Sequence, residues 1–279
     1  MPEYKALVRR YKEQPREEVF AHFAWNDKAG EKWETPYERL ANLAKDEPGN
    51  WNFTTPSFRR DGQDFPILKN YLNYTFLRAQ EQQKVVFAGD DKACFNTGLQ
   101  TREEKDIFAI FFRNRKAIEY DAPDWMLFGF ADSYSKNLAP FPNPPNIPTY
   151  VEDASDLVFD MSYEIEVNIA HIFDHHEERL PSCLQGNRTL AMVALEGATK
   201  VLRQKVLRNY KVAIPHWYEG HIQLLLPLCI TNERQADLAL VADKDKKRRM
   251  YRITTVLTMD MAYIDARLIC RPDREWLNP

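Results

Sequence analysis

The feature that most constrains this fold is a change in the pattern of apolar residues at Val85. Before that point apolar residues recur at helical spacing, as at Ile67, Tyr71 and Leu72. After it, short aromatic and β-branched runs such as residues 107–112 stand between polar breaks, a pattern typical of strands. The chain therefore needs both helices and a sheet, which excludes all-helical and all-strand folds.

Helices precede strands twice along the chain. The predicted helices cover residues 16–23, 36–45, 66–83, 165–176, 189–209 and 259–269. The predicted strands cover residues 85–88, 93–96, 107–113, 125–130, 211–214, 221–230, 236–242 and 250–258. Because the connections between successive strands are short, antiparallel pairing is favoured. We predict an α+β fold with a largely antiparallel sheet, curled or barrel-like, and helices packed outside it.

A proline-rich stretch separates the two sets of elements. Residues 140–148 contain five prolines, so they form neither a helix nor a central strand, and we predict an extended surface loop. Thr35, Pro36 and Glu38 have the pattern of a helix start with a capping box. We therefore predict a polar lead-in over residues 1–35 and one α+β domain over residues 36–279, with room for two lobes that meet near the proline loop.

The charge of the chain is almost balanced. It has 38 basic and 41 acidic residues and a net charge of −3, which excludes the basic excess typical of many nucleic-acid binders. Any site for a polyanion must come from local clusters, such as Lys200, Arg203 and Arg208 opposite the apolar face of the longest predicted helix. Residues 113–116 and 244–249 add further positive charge. A solvated surface is the alternative, since lysine and arginine face water by default.

The cysteines and the N-terminus indicate the compartment. The four cysteines are far apart and form no zinc-binding pattern, so buried free thiols in a reducing compartment are expected. No run reaches the roughly 18 apolar residues of a membrane helix, and the charged N-terminus has no signal-peptide core. We predict a cytoplasmic protein without a membrane partner.

The densest run of titratable side chains is residues 171–179. His171 and His175 have a spacing that can hold a divalent metal on one helix face, but no third ligand is identifiable. Since glycine-rich nucleotide signatures are also missing, we predict neither a metal nor a cofactor. A general acid or base role for His171 is one hypothesis, and an ordinary structural or surface histidine is the other.

Polar residues also follow the end of a predicted strand. Asn96 and Thr97 can hydrogen-bond a phosphate, a ribose or a base, and Gly98 permits a turn with exposed N–H groups. A plain turn between strand and loop is the alternative.

A second polar set lies in the apolar segment near the C-terminus. Asp260, Tyr263 and Arg267 share one stripe of the last predicted helix, and Arg271 follows it. Arg267 either forms a structural pair with Asp260 or grips a phosphate or carboxylate.

Short motifs in a fixed order make the chain similar to a known family. They include FNTGL at residues 95–99, QLLLPL at 223–228, DLALV at 237–241 and TVLTMDMAY at 255–263. Residues 171–172, 179–181, 213–215, 266–269 and 271–272 complete the series. From about residue 37 to residue 277 the chain resembles the family catalogued as domain of unknown function 3825.

That resemblance implies an OB-like, nucleic-acid-binding barrel that occurs beside RNA-associated modules, and it implies no established activity. The positions that match its polar motifs are Asn96, Thr97, Gly98, His171, Arg179, Gln223, Asp237, Asp260, Tyr263, Arg267 and Arg271. Ile264 and Asp265 stand where the family is expected to carry asparagines, which puts a side-chain role at these two positions in doubt.

The first functional hypothesis is an RNA or single-stranded nucleic-acid binding protein. Aromatic residues on strands would stack on bases, and local basic patches and a polar pocket would hold phosphates. The candidate rings are Phe108, Phe112, Trp125 and Trp217. The residues expected to bind nucleic acid or phosphate are Thr97, Gly98, Lys200, Arg203, Arg208, Tyr263, Arg267 and Arg271.

The alternative hypothesis is an enzyme that acts on a nucleotide or RNA phosphate. His171 would be the acid or base, Arg179 or Arg267 would stabilise charge on the phosphate, and Asn96 would orient the substrate. The number of polar side chains inside apolar motifs supports it, since burying such groups without partners is costly. The oligomeric state is left open by the sequence.

Overall fold

The computed structural model describes residues 3–23, 34–60 and 62–270. The α-helices in that part of the chain are α1 Pro36–Leu43, α2 Pro66–Glu81, α3 Ile169–His176, α4 Arg188–Arg208 and α5 Met259–Ala266. The strands are β1 Ala21–His22, β2 Val86–Ala88, β3 Lys92–Gln100, β4 Asp106–Arg113, β5 Trp125–Asp132, β6 Glu164–Val167, β7 Ile214–Tyr218, β8 His221–Leu228, β9 Leu238–Asp245 and β10 Met250–Leu257. No helix within the described ranges has both the length and the apolar content needed to cross a membrane.

The strands form two five-stranded sheets, which confirms the predicted α+β class with largely antiparallel pairing. Sheet 1 has the order β1-β5-β4-β3-β2, and sheet 2 has the order β6-β10-β9-β8-β7. Two edge strands are parallel to their neighbours, namely β1 to β5 and β6 to β10. Neither sheet is closed, so the barrel predicted as one form of the sheet is not formed. Closure requires the edge strands to pair, and the edges of sheet 1 have only two and three residues.

The chain divides into two compact units. Unit 1 comprises Met1–Thr54 and Arg59–Thr149, and unit 2 comprises Thr55–Phe58 and Tyr150–Pro279. The main boundary directly follows the proline-rich loop at residues 140–148. Sheet 1 belongs to unit 1 and sheet 2 to unit 2.

The core of unit 1 is built from aromatic rings between α2 and sheet 1. The Phe20 ring centroid lies 4.7 Å from that of Phe76, 5.0 Å from that of Phe111 and 5.7 Å from that of Trp125. Phe20 comes from the segment predicted as a polar lead-in, and it is fully buried. That segment instead contributes to the core and supplies β1, because its short apolar runs are buried at residues 6–7 and 19–21 although charged residues surround them.

The core of unit 2 lies between α4 and one face of sheet 2. Leu195 and Leu202 of α4 pack in the same apolar cluster as Leu226 of β8. The helix covers the predicted span to within one residue at each end. The predicted helix at residues 165–176 begins instead with β6, and α3 starts after it, where the Asn168 side chain accepts a hydrogen bond of 3.1 Å from the N–H of His171.

His216 on β7 makes unit 2 sensitive to acid. The ring is 2% exposed, and neither ring nitrogen has a hydrogen-bond partner in the described chain. Burial, with a smaller contribution from nearby His221, lowers the pKa of His216 from 6.5 to about 4. The folded state therefore keeps His216 neutral, while the unfolded chain binds a proton below about pH 6.5.

We expect the free energy of unfolding to fall by about 3 kcal/mol between pH 6.5 and pH 4 because of this one residue. Above pH 6.5 His216 is neutral in both the folded and the unfolded state, so it no longer makes the free energy of unfolding depend on pH. Urea denaturation of the wild type and His216→Leu as a function of pH measures the fall, with His175→Leu as the control on an exposed histidine. Parallel acid profiles for the wild type and His216→Leu would contradict the prediction.

Candidate functional site

Aromatic and basic side chains gather at the end of sheet 1 that carries the β2–β3 turn. Phe112 and Arg113 are consecutive on β4, so they point to opposite faces of the sheet. Phe112 pairs with Lys92 of β3, and Arg113 pairs with Trp125 of β5. Both faces of this end therefore carry an aromatic ring beside a cation.

The first face carries the aromatic platform, by which we mean Lys92, Phe112 and Phe128. The ring centroids of Phe112 and Phe128 are 4.8 Å apart with an interplanar angle of 68°. Phe112 is 36% exposed and Phe128 is 51% exposed. The Lys92 Nζ atom lies 6.0 Å from the centre of the Phe112 ring. Two large apolar rings are thus left in water next to a cation, which is costly for folding alone and useful for contact with a planar ligand.

Phe128 lies at a bulge in the β4–β5 ladder. Ile110 pairs with Gly129, but the next residue, Phe111, pairs with Leu127, so Phe128 has no partner in the register. Phe112 pairs with Met126, and Phe128 is two residues further along β5, so Phe128 lies on the same face as Phe112.

The opposite face carries the turn pocket, a cavity of about 570 Å³ lined by Phe87, Gly89, Asp90, Arg113 and Trp125. The Arg113 guanidinium lies 5.3 Å from the Trp125 ring centre, and the Phe87 and Trp125 ring centroids are 5.4 Å apart. Gly89 has φ +62° in the β2–β3 turn, and a Cβ atom there would lie 3.6 Å from a carboxylate oxygen of Asp91. The pocket thus offers apolar and cationic walls beside one carboxylate.

Several cations near this end have no carboxylate partner. Lys92, Arg115 and Lys116 form no ion pair within the described ranges, whereas Arg113 bonds Asp124 at 3.1 Å. Lys116 instead lies 5.5 Å from the exposed Tyr120 ring centre. These groups are available to phosphates.

Asn96, Thr97 and Gly98 lie inside unit 1, and their polar groups have partners there. The Asn96 Nδ2 atom donates to Asp106 at 3.1 Å, and its Oδ1 accepts from the Gly98 N–H at 2.9 Å. The Thr97 hydroxyl donates to the Ile107 carbonyl at 2.7 Å. These contacts hold the irregular register between Asn96 and Gln100 inside β3, which continues to Gln100 instead of ending in a turn after Asn96.

The basic residues predicted on α4 are at the surface of unit 2. Lys200 and Arg208 are exposed, and Arg203 is partly exposed. Arg203 bonds Glu164 at 2.9 Å, while Arg208 bonds the Gln204 side chain at 2.9 Å. Partners on the same surface thus engage two of the three cations.

The histidines of α3 form a cluster in unit 2. The His171 ring centroid is 4.4 Å from that of His175 and 6.0 Å from that of His176. Burial lowers the pKa of His176, and the charge of Arg179 lowers it further. Arg179 donates to the Val256 carbonyl at 2.9 Å. No group of three or more histidine, cysteine, aspartate or glutamate residues in the described chain could hold a metal ion.

The remaining predicted residues belong to the C-terminal part of unit 2. Tyr263 lies on α5 and packs against the apolar cluster on that face of sheet 2. Arg267 directly follows α5 and is buried. Arg271 lies outside the described residues. The predicted site residues are therefore divided between the two units, and their roles in binding or catalysis stay predictions.

Part of the aromatic platform was predictable from the sequence, and the rest was not. Of the four rings proposed for stacking, only Phe112 is substantially exposed, while Phe108, Trp125 and Trp217 are 3–4% exposed and belong to the core. Phe128 and Lys92 were missed because the sequence does not show which face of each strand is left open to water. The glycine after Phe128, at position 129, was the one available signal, since a glycine within a strand often marks a bulge.

Comparisons with known proteins give one match. The model of the family described as "Domain of unknown function (DUF3825)" matches residues 40–276. A search of curated proteins found no match. A search of solved structures found none either.

Proposed function

We propose that this protein, which belongs to the family described as "Domain of unknown function (DUF3825)", binds single-stranded RNA at the end of sheet 1. The observation that carries the proposal is the aromatic platform, an edge-to-face pair of half-exposed phenylalanines beside a lysine on an antiparallel sheet. Bases that stack on aromatic side chains gain about 1–3 kcal/mol each.

The platform favours single strands over duplexes for a geometric reason. The bases of a duplex are already stacked on one another, so their faces are closed to protein rings. Unpaired bases can lie flat on Phe112 or Phe128 while the flanking phosphates reach Lys92. The small number of free cations nearby means that stacking, rather than charge, supplies most of the affinity.

Because stacking contributes more than charge, the binding affinity should depend only weakly on salt concentration. If Lys92, Arg115 and Lys116 each neutralise one phosphate, the slope of log affinity against log salt concentration is about −2. Binding of a labelled ten-nucleotide oligouridylate between 50 and 500 mM salt measures the slope. A slope steeper than about −5 would instead indicate a broad basic surface such as that of α4.

The direct test removes the two exposed rings. We expect Phe112→Ser and Phe128→Ser each to weaken binding of the oligouridylate by about 10-fold or more, with the fold preserved because both rings are at the surface. Fluorescence anisotropy gives the affinity, and circular dichroism checks the fold.

The matched control is Tyr134→Ser. Tyr134 is 76% exposed and has Lys105 Nζ 4.8 Å from its ring centre, so it shares the chemistry of the platform at a different position. Unchanged binding in both phenylalanine variants, or an equal loss in Tyr134→Ser, would overturn the proposal. Lys200→Gln with Arg208→Gln tests the α4 surface in the same assay, and we expect a smaller loss there.

A further inference from the structure

We infer that the turn pocket accepts a guanine base of the bound strand, an inference that rests on the proposed RNA binding and names its preferred base. The pocket and the platform occupy opposite faces at one end of sheet 1. Its volume of about 570 Å³ lies within the usual range for small-ligand sites.

The walls of the pocket are suited to a planar ring. Phe87 is 39% exposed, so part of its ring surface is open to a ligand. The Arg113 guanidinium lies over Trp125 and bonds Asp124 at 3.1 Å, while 46% of the Arg113 side chain stays exposed. Aromatic faces and guanidinium planes are the surfaces on which proteins stack unpaired bases.

Asp90 decides which base fits. Asp90 lines the pocket, and its carboxylate has neither a hydrogen bond nor an ion pair with any residue of the described ranges. A carboxylate accepts hydrogen bonds and donates none when ionised, and it repels phosphate. The pocket should therefore receive the edge of a base rather than the backbone.

Guanine is the base whose edge matches a carboxylate best. Its Watson–Crick edge presents two adjacent donors, the N1–H and the 2-amino group, which can reach both oxygens of Asp90 together. Adenine and cytosine offer one amino group next to a ring acceptor, and uracil offers one N–H between two carbonyl oxygens. These three bases would each place an acceptor against the carboxylate.

The test compares pentanucleotides that differ only at the central base. We expect the wild type to bind UUGUU about 10-fold more tightly than UUAUU, since one good bidentate contact gives discrimination of this order. UUIUU, with inosine at the centre, should fall between them because inosine lacks the 2-amino group. Asp90→Asn should reduce the ratio of the UUGUU to the UUAUU affinity to near one.

Asp91→Asn is the matched control, because Asp91 is the next carboxylate of the same turn and does not line the pocket. Either substitution removes a negative charge and so raises the affinity for every oligonucleotide. Comparing the ratio of the UUGUU to the UUAUU affinity removes this shared effect. Equal affinity of the wild type for UUGUU and UUAUU would overturn the inference, as would a guanine preference that persists in Asp90→Asn.

The two proposals can fail separately. Sequence-tolerant binding of UUUUU that depends on Phe112 and Phe128, without any guanine preference, would keep the platform and reject the pocket. Binding of free guanosine monophosphate that depends on Asp90, with no affinity for UUUUU, would keep the pocket and reject the platform. No binding of any of these probes would reject both.

Discussion

Phe20→Ala is expected to lower the free energy of unfolding of unit 1 by about 3–5 kcal/mol. The ring is fully buried and contacts Phe76 of α2, Phe111 of β4 and Trp125 of β5, so its removal leaves a cavity where helix and sheet meet. Urea denaturation followed by tryptophan fluorescence measures the loss, since Trp125 lies in the affected core. A loss of this size is a large part of the total free energy of unfolding of a typical domain.

The control for Phe20 comes from the same segment. Tyr11 is 56% exposed, so Tyr11→Ala should change the free energy of unfolding by less than about 0.5 kcal/mol. A small effect of Phe20→Ala, similar to that of Tyr11→Ala, would mean that the N-terminal segment is not part of the core in solution.

Gly98→Ala is expected to cost about 2–4 kcal/mol of stability. Gly98 has φ +73°, a left-handed conformation that disfavours any residue with a Cβ atom. A Cβ atom at this position would also lie 2.7 Å from the hydroxyl oxygen of Tyr71, which is shorter than any van der Waals contact. Both effects act on one irregular position inside β3, and thermal or urea denaturation measures their sum.

Two further variants separate the φ strain at Gly98 from the clash with Tyr71. Tyr71→Phe removes the oxygen that the new Cβ atom would meet, so Gly98→Ala should cost less in that background, with the φ strain remaining. Gly197→Ala provides the opposite case, because Gly197 lies inside α4 with open space where the added methyl group would lie. We expect Gly197→Ala to stabilise the protein by about 1 kcal/mol. Equal effects of the two glycine substitutions would contradict the structure.

Local patterns were sufficient to predict most of the elements. The capping box at Thr35 is present as predicted, with its side chain accepting from the Glu38 N–H at 3.0 Å. Helix α4 and strands β8 and β10 lie within two residues of their predicted bounds. These segments are long and strongly periodic, so the choice of structure depends on residues a few positions apart.

Features that depend on distant contacts were not predictable in the same way. Strand β1 has two residues and exists because β5 lies beside it, more than one hundred positions further along the chain. Strand β6 was assigned to a helix because Ile165 and Ile169 also fit a helical spacing. Its parallel pairing with β10 is again a contact between remote segments.

The candidate site shows the same limit. The sequence predicts rings on strands, Phe112 among them, but it does not show which of those rings face water. That distinction depends on how β5 pairs with β4, because the pairing of Phe112 with Met126 sets the face on which Phe128 lies. Asp90 was not considered, since a single exposed aspartate in a turn has no distinguishing neighbours in the sequence.

The open edges of the two sheets have a consequence for self-association. The outermost strands of sheet 1 have two and three residues, and β6 at one edge of sheet 2 has four. The other edge, β7, has five residues, and one of them is Pro215, which has no N–H to donate. A short or proline-containing edge strand offers few free backbone groups for pairing with a strand of another molecule. The protein can therefore expose Phe112 and Phe128 in a concentrated solution without amyloid-like pairing of its sheet edges with other molecules.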